Sequence, residues 1–374
     1  MQIQEVNNSK SKKAFLDVAR LLYKNDDVWV CPMDQDIINV FDPNHNIYFT
    51  HGTAIRWVLK DDQGNFIGRI AAFINEKKAD FDGKRGGGIG FFECINDKEA
   101  AFKLFDIARA WLVERKVNYI LGPINFGEND FFWGLLVKGF TNPSYGMNYN
   151  HPYYEQLFLE YGFNVKVQQL TNSLNVKEGL DPRFVKVANY VLKKKKSITL
   201  RHLDKKHFDE LADDFIEIYN KAWTGHENFT PIKKEYIRDT FNKIKPIYEQ
   251  KFIWFAYVDG NPAGFVFCLP DVNQIFKHFN GKLNLWNKVR FLILKQRKVI
   301  NRIRVIALGT VPEYQNMGLE SVMTAKCFER ALEAGHYTDG ELSWVGDFND
   351  KMLAIHKGLG AVLDKVHITY ELHL

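Results

Sequence analysis

Residues 310–321, TVPEYQNMGLES, set a proline, a glutamine and a glycine between an apolar run and a helical one. A strand that turns into a helix N-terminus gathers unpaired backbone N–H groups beside the positive end of the helix dipole, an arrangement suited to an anion such as a phosphate. Gly318 lets the backbone approach a ligand where a Cβ would intrude, and Pro312 fixes the entry to the turn. The same spacing also serves a plain strand-turn-helix junction, so the flanking elements have to decide.

In the second half of the chain those elements have a regular order. "ITLRHL" alternates like a strand. "DKKHFDELADDFIEIYNKAW" has helical spacing at Phe208, Leu211, Phe215, Ile218 and Tyr219, with Asp204 as N-cap. A further helix is expected from Thr230-Pro231, an N-cap and first-turn pair. A hairpin turns at Asp259-Gly260-Asn261, the strand "RIRVIALGTV" follows, and a helix closes at Gly335. The strand "DGELSWVG", the helix "NDKMLAIHKGLG" and the strand "AVLDKVHITYELHL" complete the order β, α, α, β, β, β, α, β, α, β. The first half repeats much of it: the helix "AFLDVARLLY", a hairpin over 54–75, the strand "GGGIGFFECI", a long helix from Asp97, the strand "VNYILGPI" and the short helix "PYYEQLFLEYGF".

A chain of 374 residues is long for one core, and a like-charge run at Lys193–Lys196 suits a linker. Two α/β (α+β mixed) domains are therefore expected, 1–192 and 197–374, each a mostly antiparallel sheet flanked by helices. Hydrophobic residues are 46% and charged residues 25%, close to globular averages. A net charge of +5 over this length is too mild to indicate nucleic acid. Cys31, Cys94, Cys268 and Cys327 lack metal-site or disulfide-framework spacing and read as reduced thiols. The N-terminus has no apolar stretch of signal-peptide length, so a cytoplasmic location is expected.

With these elements around it, Val311, Pro312, Gln315, Asn316, Met317, Gly318 and Leu319 resemble the pyrophosphate loop of the GNAT superfamily of acyl-CoA-dependent N-acyltransferases. Downstream, Asn349, Met352, His356, Gly360 and Ala361 fall at the offsets of a second GNAT motif. The resemblance implies acetyl-CoA or another acyl-CoA as co-substrate, bound through Leu308, Gly309, Thr310, Val311, Gln315, Asn316, Met317, Gly318, Leu319, Glu320 and Asn349, with no metal. The first half lacks the loop, which implies a degenerate copy that does not hold CoA, a layout like that of N-myristoyltransferases and mycothiol synthases. The acceptor would be a small-molecule or peptide amine in the cleft between the halves.

Two positions depart from the pattern. Glu320 stands where the family has a small residue, and its carboxylate would repel a pyrophosphate unless it turns outward. His356 stands where the family often has a tyrosine that protonates the leaving thiolate. A histidine with a pKa near ~6.5 suits that exchange, and packing on a helix face is the alternative. Glu341 or Asp347 would take the proton from the amine, or be ordinary surface carboxylates; Trp344, on the same strand, lies near the acyl site or in the core. In the first half Asn125, Asn129, Asp130, Tyr149 and Asn150 cluster in polar loops, as binding residues do and as turns also do. An insertion at 274–303 interleaves basic and apolar residues. It would lie on an anionic membrane, cover a long acyl chain, or pack on its own domain with its charges in water. An N-acyltransferase is the leading expectation. The alternatives are a non-catalytic CoA- or ligand-binding protein and an aminoacyl-tRNA-dependent transferase.

Overall fold

The computed structural model describes residues 1–77, 80–81, 83–194, 197–223 and 234–374. The expected helix start at Thr230-Pro231, and Lys195 and Lys196 of the lysine run, lie outside the described residues. In chain order the elements begin β1 (Gln2–Glu5), α1 (Ser9–Leu22), α2 (Asp34–Val40), β2 (Gly52–Lys60), β3 (Phe66–Asn75), β4 (Asp80–Phe81), β5 (Lys84–Cys94), α3 (Lys98–Val113), β6 (Tyr119–Gly122), β7 (Leu135–Lys138), α4 (Tyr154–Tyr161) and β8 (Asn164–Asn175). Then come α5 (Pro182–Lys194), β9 (Ile198–His202), α6 (Phe208–Trp223), α7 (Lys234–Ile244), β10 (Ile253–Val258), β11 (Asn261–Pro270), α8 (Asn273–Phe276) and α9 (Leu285–Gln296). The chain ends with β12 (Arg302–Thr310), α10 (Leu319–Ala334), β13 (Asp339–Gly346), α11 (Asp350–Gly358) and β14 (Val362–His373).

These elements form two compact units. Unit 1 comprises Met1–Leu170, Asn273–Gln296 and Lys365–Leu374, and unit 2 comprises Thr171–Val272 and Arg297–Asp364. The division differs from a cut at the lysine run, because β8 and β14 each begin in one unit and end in the other. The insertion also departs from expectation. Its helices α8 and α9 belong to unit 1 instead of the domain that flanks them in sequence.

Unit 1 orders its strands β1-β2-β3-β5-β6-β14. β5 and β6 pair in parallel over Gly86–Gly88, while β1–β2, β2–β3, β3–β5 and β6–β14 pair antiparallel. The run Gly86–Gly88 with Gly90 has a steric cause. A Cβ on Gly90 would fall on the Ile124 carbonyl oxygen, so only glycine lets the backbone after β6 lie so close. α3 covers one face with Leu104, Phe105, Ala108 and Leu112, all buried at helical spacing. Each large apolar side chain so buried contributes about 1.5–3 kcal/mol. Phe105 stacks on Phe92 of β5 at 4.7 Å between ring centroids.

Unit 2 orders β13-β12-β11-β10-β9, with Thr171–Asn175 of β8 beside β13. The β10–β11 hairpin turns at Asp259-Gly260 as its sequence implies. α6 places Leu211, Phe215 and Ile218 in a core with Phe255 and Phe265. All four cysteines are unpaired and buried.

Candidate functional site

The parallel strands β12 and β13 of unit 2 pair only over Arg302–Val305 and Asp339–Leu342. Beyond that point β12 stays on β11 as far as Thr310. β11 opposes Phe267 to Ala307 and Cys268 to Val305, which leaves Ile306 as the extra residue of a bulge. The two strands thus part at a re-aimed stretch of β12, and that stretch delivers the loop Val311–Gly318.

In the loop Val311 is buried, Pro312–Tyr314 form one 3-10 turn, and Gln315 and Asn316 are exposed. Asn316 and Gly318 take left-handed backbone, φ 65° and 82°. Thr310, at the loop's head, keeps a buried hydroxyl with no hydrogen-bond partner. Leu308 is half-buried and Gly309 buried on the strand behind it. Gly318 is the N-cap of α10 and no side chain caps this helix, so its first-turn N–H groups are left for solvent or a ligand. Glu320 is half-buried in that first turn, where a carboxylate also suits the helix dipole. The need for glycine at 318 has a further cause. A Cβ there would come within 2.9 Å of the Val191 side chain on α5, so the residue is held by its φ and by α5 as well as by any ligand.

The equivalent helix of unit 1, α3, has a different start. Asp97 is its N-cap, and its carboxylate accepts from the Ala100 N–H at 2.8 Å. The chain's own anion fills in unit 1 the position that is open in unit 2.

The expected catalytic residues of unit 2 lie in different settings. Glu341 is 2% exposed and lies opposite Arg304 in the β12–β13 register. Its Oε1 is 3.0 Å from Arg304 Nε, with Arg302 at 3.9 Å, and Arg302 in turn lies 3.7 Å from Asp271. This buried ion pair ties β12 to β13. His356 is buried on α11, and Asn172 lies with its amide nitrogen 3.0 Å from Nδ1. With the amide donating, Nδ1 accepts and the ring proton sits on Nε2. Burial pushes the His356 pKa down to about 4, so the imidazole is neutral near pH 7. Asn349 is the N-cap of α11, its Oδ1 accepting from Met352 N at 3.2 Å. Asp347 is exposed and Trp344 half-buried at the end of β13.

Unit 1 contains a cavity of about 60 Å³ whose wall includes Trp29, Arg69, Glu93, Phe132, Tyr149 and Asn150. Arg69 and Glu93 are register partners on β3 and β5. Arg69 Nη2 donates to Glu93 Oε1 at 3.3 Å and Nη1 to the Phe15 carbonyl at 2.7 Å. The hydroxyls of Tyr23 and Tyr154 donate to Glu93 Oε2 at 2.8 and 2.9 Å. Burial raises the Glu93 pKa, against the opposing effects of Arg69 and the two phenols. His151 stacks on Tyr23 at 4.3 Å. Sequence reasoning passes over this cluster, although charged residues inside the apolar strands "IGRIAAF" and "FFEC" were a usable signal.

Of the polar residues expected to bind substrate, Tyr149 and Asn150 come together at the cavity. Asn150 clamps β7, its amide exchanging bonds of 2.8 and 3.0 Å with the Leu136 backbone. Tyr149 donates to Asp26 at 2.9 Å. Asn125 is buried with its Oδ1 lacking a hydrogen-bond partner, and Asn129 and Asp130 are exposed; none of the three lines the cavity.

Apart from α5, α8, α9 and the short strands β4 and β7, the elements run β, α, α, β, β, β, α, β, α, β twice along the chain, each time around one parallel strand pair. This is the tandem GNAT fold, a mixed, mostly antiparallel sheet flanked by helices in each unit. A solved tandem GNAT protein from the clavulanic acid biosynthesis pathway superposes with a TM-score of 0.58 at 11% identity, covering 100% of this chain and 98% of that one. Among curated proteins, the bacterial ceramide synthase of Caulobacter vibrioides is 26% identical, over 99% of this chain and 97% of its own. Protein YghO of Escherichia coli K12 is also 26% identical, over 97% and 93%. No family model matches the sequence.

Proposed function

We propose that the chain is an acyl-CoA-dependent N-acyltransferase whose acceptor is the amine of a long-chain amino alcohol. The observation that carries the CoA assignment is the contrast between two equivalent helices: α10 begins uncapped, whereas α3 is closed by Asp97. The acceptor class comes from the full-length similarity to a ceramide synthase, a protein whose product joins an acyl group to such an amine.

The open first turn of α10, the left-handed Asn316 and Gly318 and the unpartnered Thr310 hydroxyl fit a phosphate-bearing group. Backbone N–H groups at Gly318–Glu320 would hold the pyrophosphate, and β12 beyond the bulge would take the pantetheine amide. Acyl-CoA supplies a carbonyl already activated as a thioester. The amine nitrogen forms the new C–N bond, the C–S bond breaks, and the nitrogen's proton leaves as the thiol is released. The chain's part is positioning and exclusion of water. The unit 1 cavity, whose wall mixes apolar side chains with Tyr149, Asn150 and the Arg69–Glu93 pair, offers polar partners to the hydroxyl groups of the amino-alcohol head.

A protein that binds CoA without turnover is the second reading, favoured by the neutral buried His356 and the paired Glu341. Thiol release from palmitoyl-CoA with sphinganine, measured beside calorimetry of CoA binding, separates the two. Release dependent on the amine supports the transferase, binding without release supports the second reading, and absence of both refutes the CoA assignment.

A further inference from the structure

The formal charge excess of the chain is concentrated in one place. Asn273–Gln296 carries Lys277, Lys282, Lys288, Arg290 and Lys295 and no Asp or Glu, while the rest of the chain balances 45 basic against 45 acidic residues. Within this segment α9 has its apolar side chains turned to solvent. Leu285 and Trp286 are each 79% exposed and Leu292 61%, with Val289 and Ile293 also exposed. At ~100° per residue these five fall in one arc of roughly 120°. Lys288 and Lys295 border that arc on one side and Arg290 on the other. The opposite face holds α9 to unit 1, through buried Asn287 and Phe291. Phe291 meets Phe276 at 5.9 Å, and Phe276 meets Tyr145 at 5.6 Å.

An ordinary surface helix buries its apolar stripe and exposes its charges. Here a small polar-aromatic face is buried, the larger apolar face is free, and cations border it on both sides. We propose that α9 seats unit 1 on an anionic lipid surface, with Leu285, Trp286, Val289, Leu292 and Ile293 at the headgroup–acyl boundary and Lys288, Arg290 and Lys295 against the lipid phosphates. Charge complementarity selects this partner over a second copy of the chain, which would bring the same cations face to face. α9 lies on the surface and does not cross it: no helix among the described residues is long and apolar enough to span a membrane.

The segment is anchored beside the unit 1 cavity at two points. The Gly281 carbonyl accepts from Asp34 N at 2.8 Å, and a Cβ on Gly281 would come within 2.7 Å of the Pro32 carbonyl oxygen. Asn273 Nδ2 donates to the Pro143 carbonyl at 2.9 Å. Pro32 and Pro143 both line the cavity. A lipid amine would therefore reach it from the bilayer, a step that rests on the acyltransferase reading, whereas the docking itself does not.

Cosedimentation of the full chain with vesicles of phosphatidylcholine, alone or mixed with phosphatidylglycerol, tests the proposal. The expected result is binding to the mixed vesicles that weakens with salt, falls about ten-fold or more in Trp286→Glu/Leu292→Glu, and falls in Lys288→Glu/Arg290→Glu. A blue shift of tryptophan emission on vesicle addition, lost in Trp286→Phe, reports the same contact without disturbing the fold. Equal partition with and without anionic lipid overturns the proposal, as does a wild-type dimer in sedimentation velocity that Trp286→Glu dissolves. Loss of vesicle binding with thiol release intact would refute the docking alone, and the reverse would refute the acyltransferase reading alone.

Discussion

Replacing Glu341 with alanine separates a structural carboxylate from a catalytic one. Its carboxylate lies 3.0 Å from Arg304 Nε, with side-chain exposures of 2% and 7%. At an effective dielectric constant near 20 the gross attraction at that separation is about 5–6 kcal/mol, much of it offset by desolvation. Removing one partner of such a pair leaves a buried cation without its counter-charge and costs about 3–5 kcal/mol. Arg302 lies further from Glu341, at 3.9 Å, and 3.7 Å from Asp271, so Arg304 is the nearer of the two cations to the change. Because two units need not unfold together, the measurement is native-state hydrogen exchange at Val305 and Leu342, register partners next to the pair, beside a urea transition of the whole chain. In Glu341→Ala those amides should lose about 3–5 kcal/mol of protection. Glu341→Leu combined with Arg304→Met should cost clearly less than the sum of the single changes, the sign of direct coupling. If Glu341→Ala stays within about 1 kcal/mol of wild type while thiol release falls a hundred-fold or more, the ion pair is incidental and Glu341 is the base.

Other expectations follow from the same geometry. The His356 pKa is depressed from 6.5 to about 4, so as pH falls the unfolded chain takes up this proton first. Stability present above pH 6.5 should then decline between 6.5 and 4 by about 3 kcal/mol in total, a component absent from His356→Asn in paired urea titrations. Glu320→Gln removes a like charge from the first turn of α10 and should tighten CoA binding about two- to five-fold at low salt, less at high salt; unchanged affinity by calorimetry would remove the pyrophosphate from that turn. Gly90→Ala drives a methyl into the Ile124 carbonyl and should cost more than about 2 kcal/mol in unit 1, seen as lost exchange protection in β5 and β6.

Local signals carried most of the fold. The hairpin at Asp259-Gly260, the cap Asp204 and the alternation of strands with helices each depend on neighbours within a few residues, and all appear where the sequence indicates. What the sequence hid depends on partners far along the chain. The ion pair of Glu341 could not be read locally, because its register partner Arg304 lies on another strand, with α10 in between. His356 falls at a motif offset, but its pKa is set by burial, and the side chain it meets, Asn172, lies 184 residues away. The assignment of α8 and α9 to unit 1 depends on Gly281 meeting Asp34 and Asn273 meeting Pro143, contacts that no window of sequence contains.

The N-termini of α3 and α10 show how a small local difference separates two copies of one architecture. Both helices follow the strand that starts a parallel pair, and both bring a dipole and unpaired N–H groups to the same topological place. In unit 1 Asp97 closes that place with a carboxylate from the chain, which stabilises the helix by about 1 kcal/mol and excludes another anion. In unit 2 Gly318 supplies no side chain and the cap's stabilisation is forgone, a cost that a bound phosphate would offset. Exchanging the two solutions should exchange the property: Asp97→Gly should weaken α3 by about 1 kcal/mol or less without creating affinity for CoA, since unit 1 lacks the left-handed pair that shapes the loop before α10. Affinity for CoA appearing in unit 1 on that change would mean that the open helix end alone suffices and that Asn316 and Gly318 are dispensable.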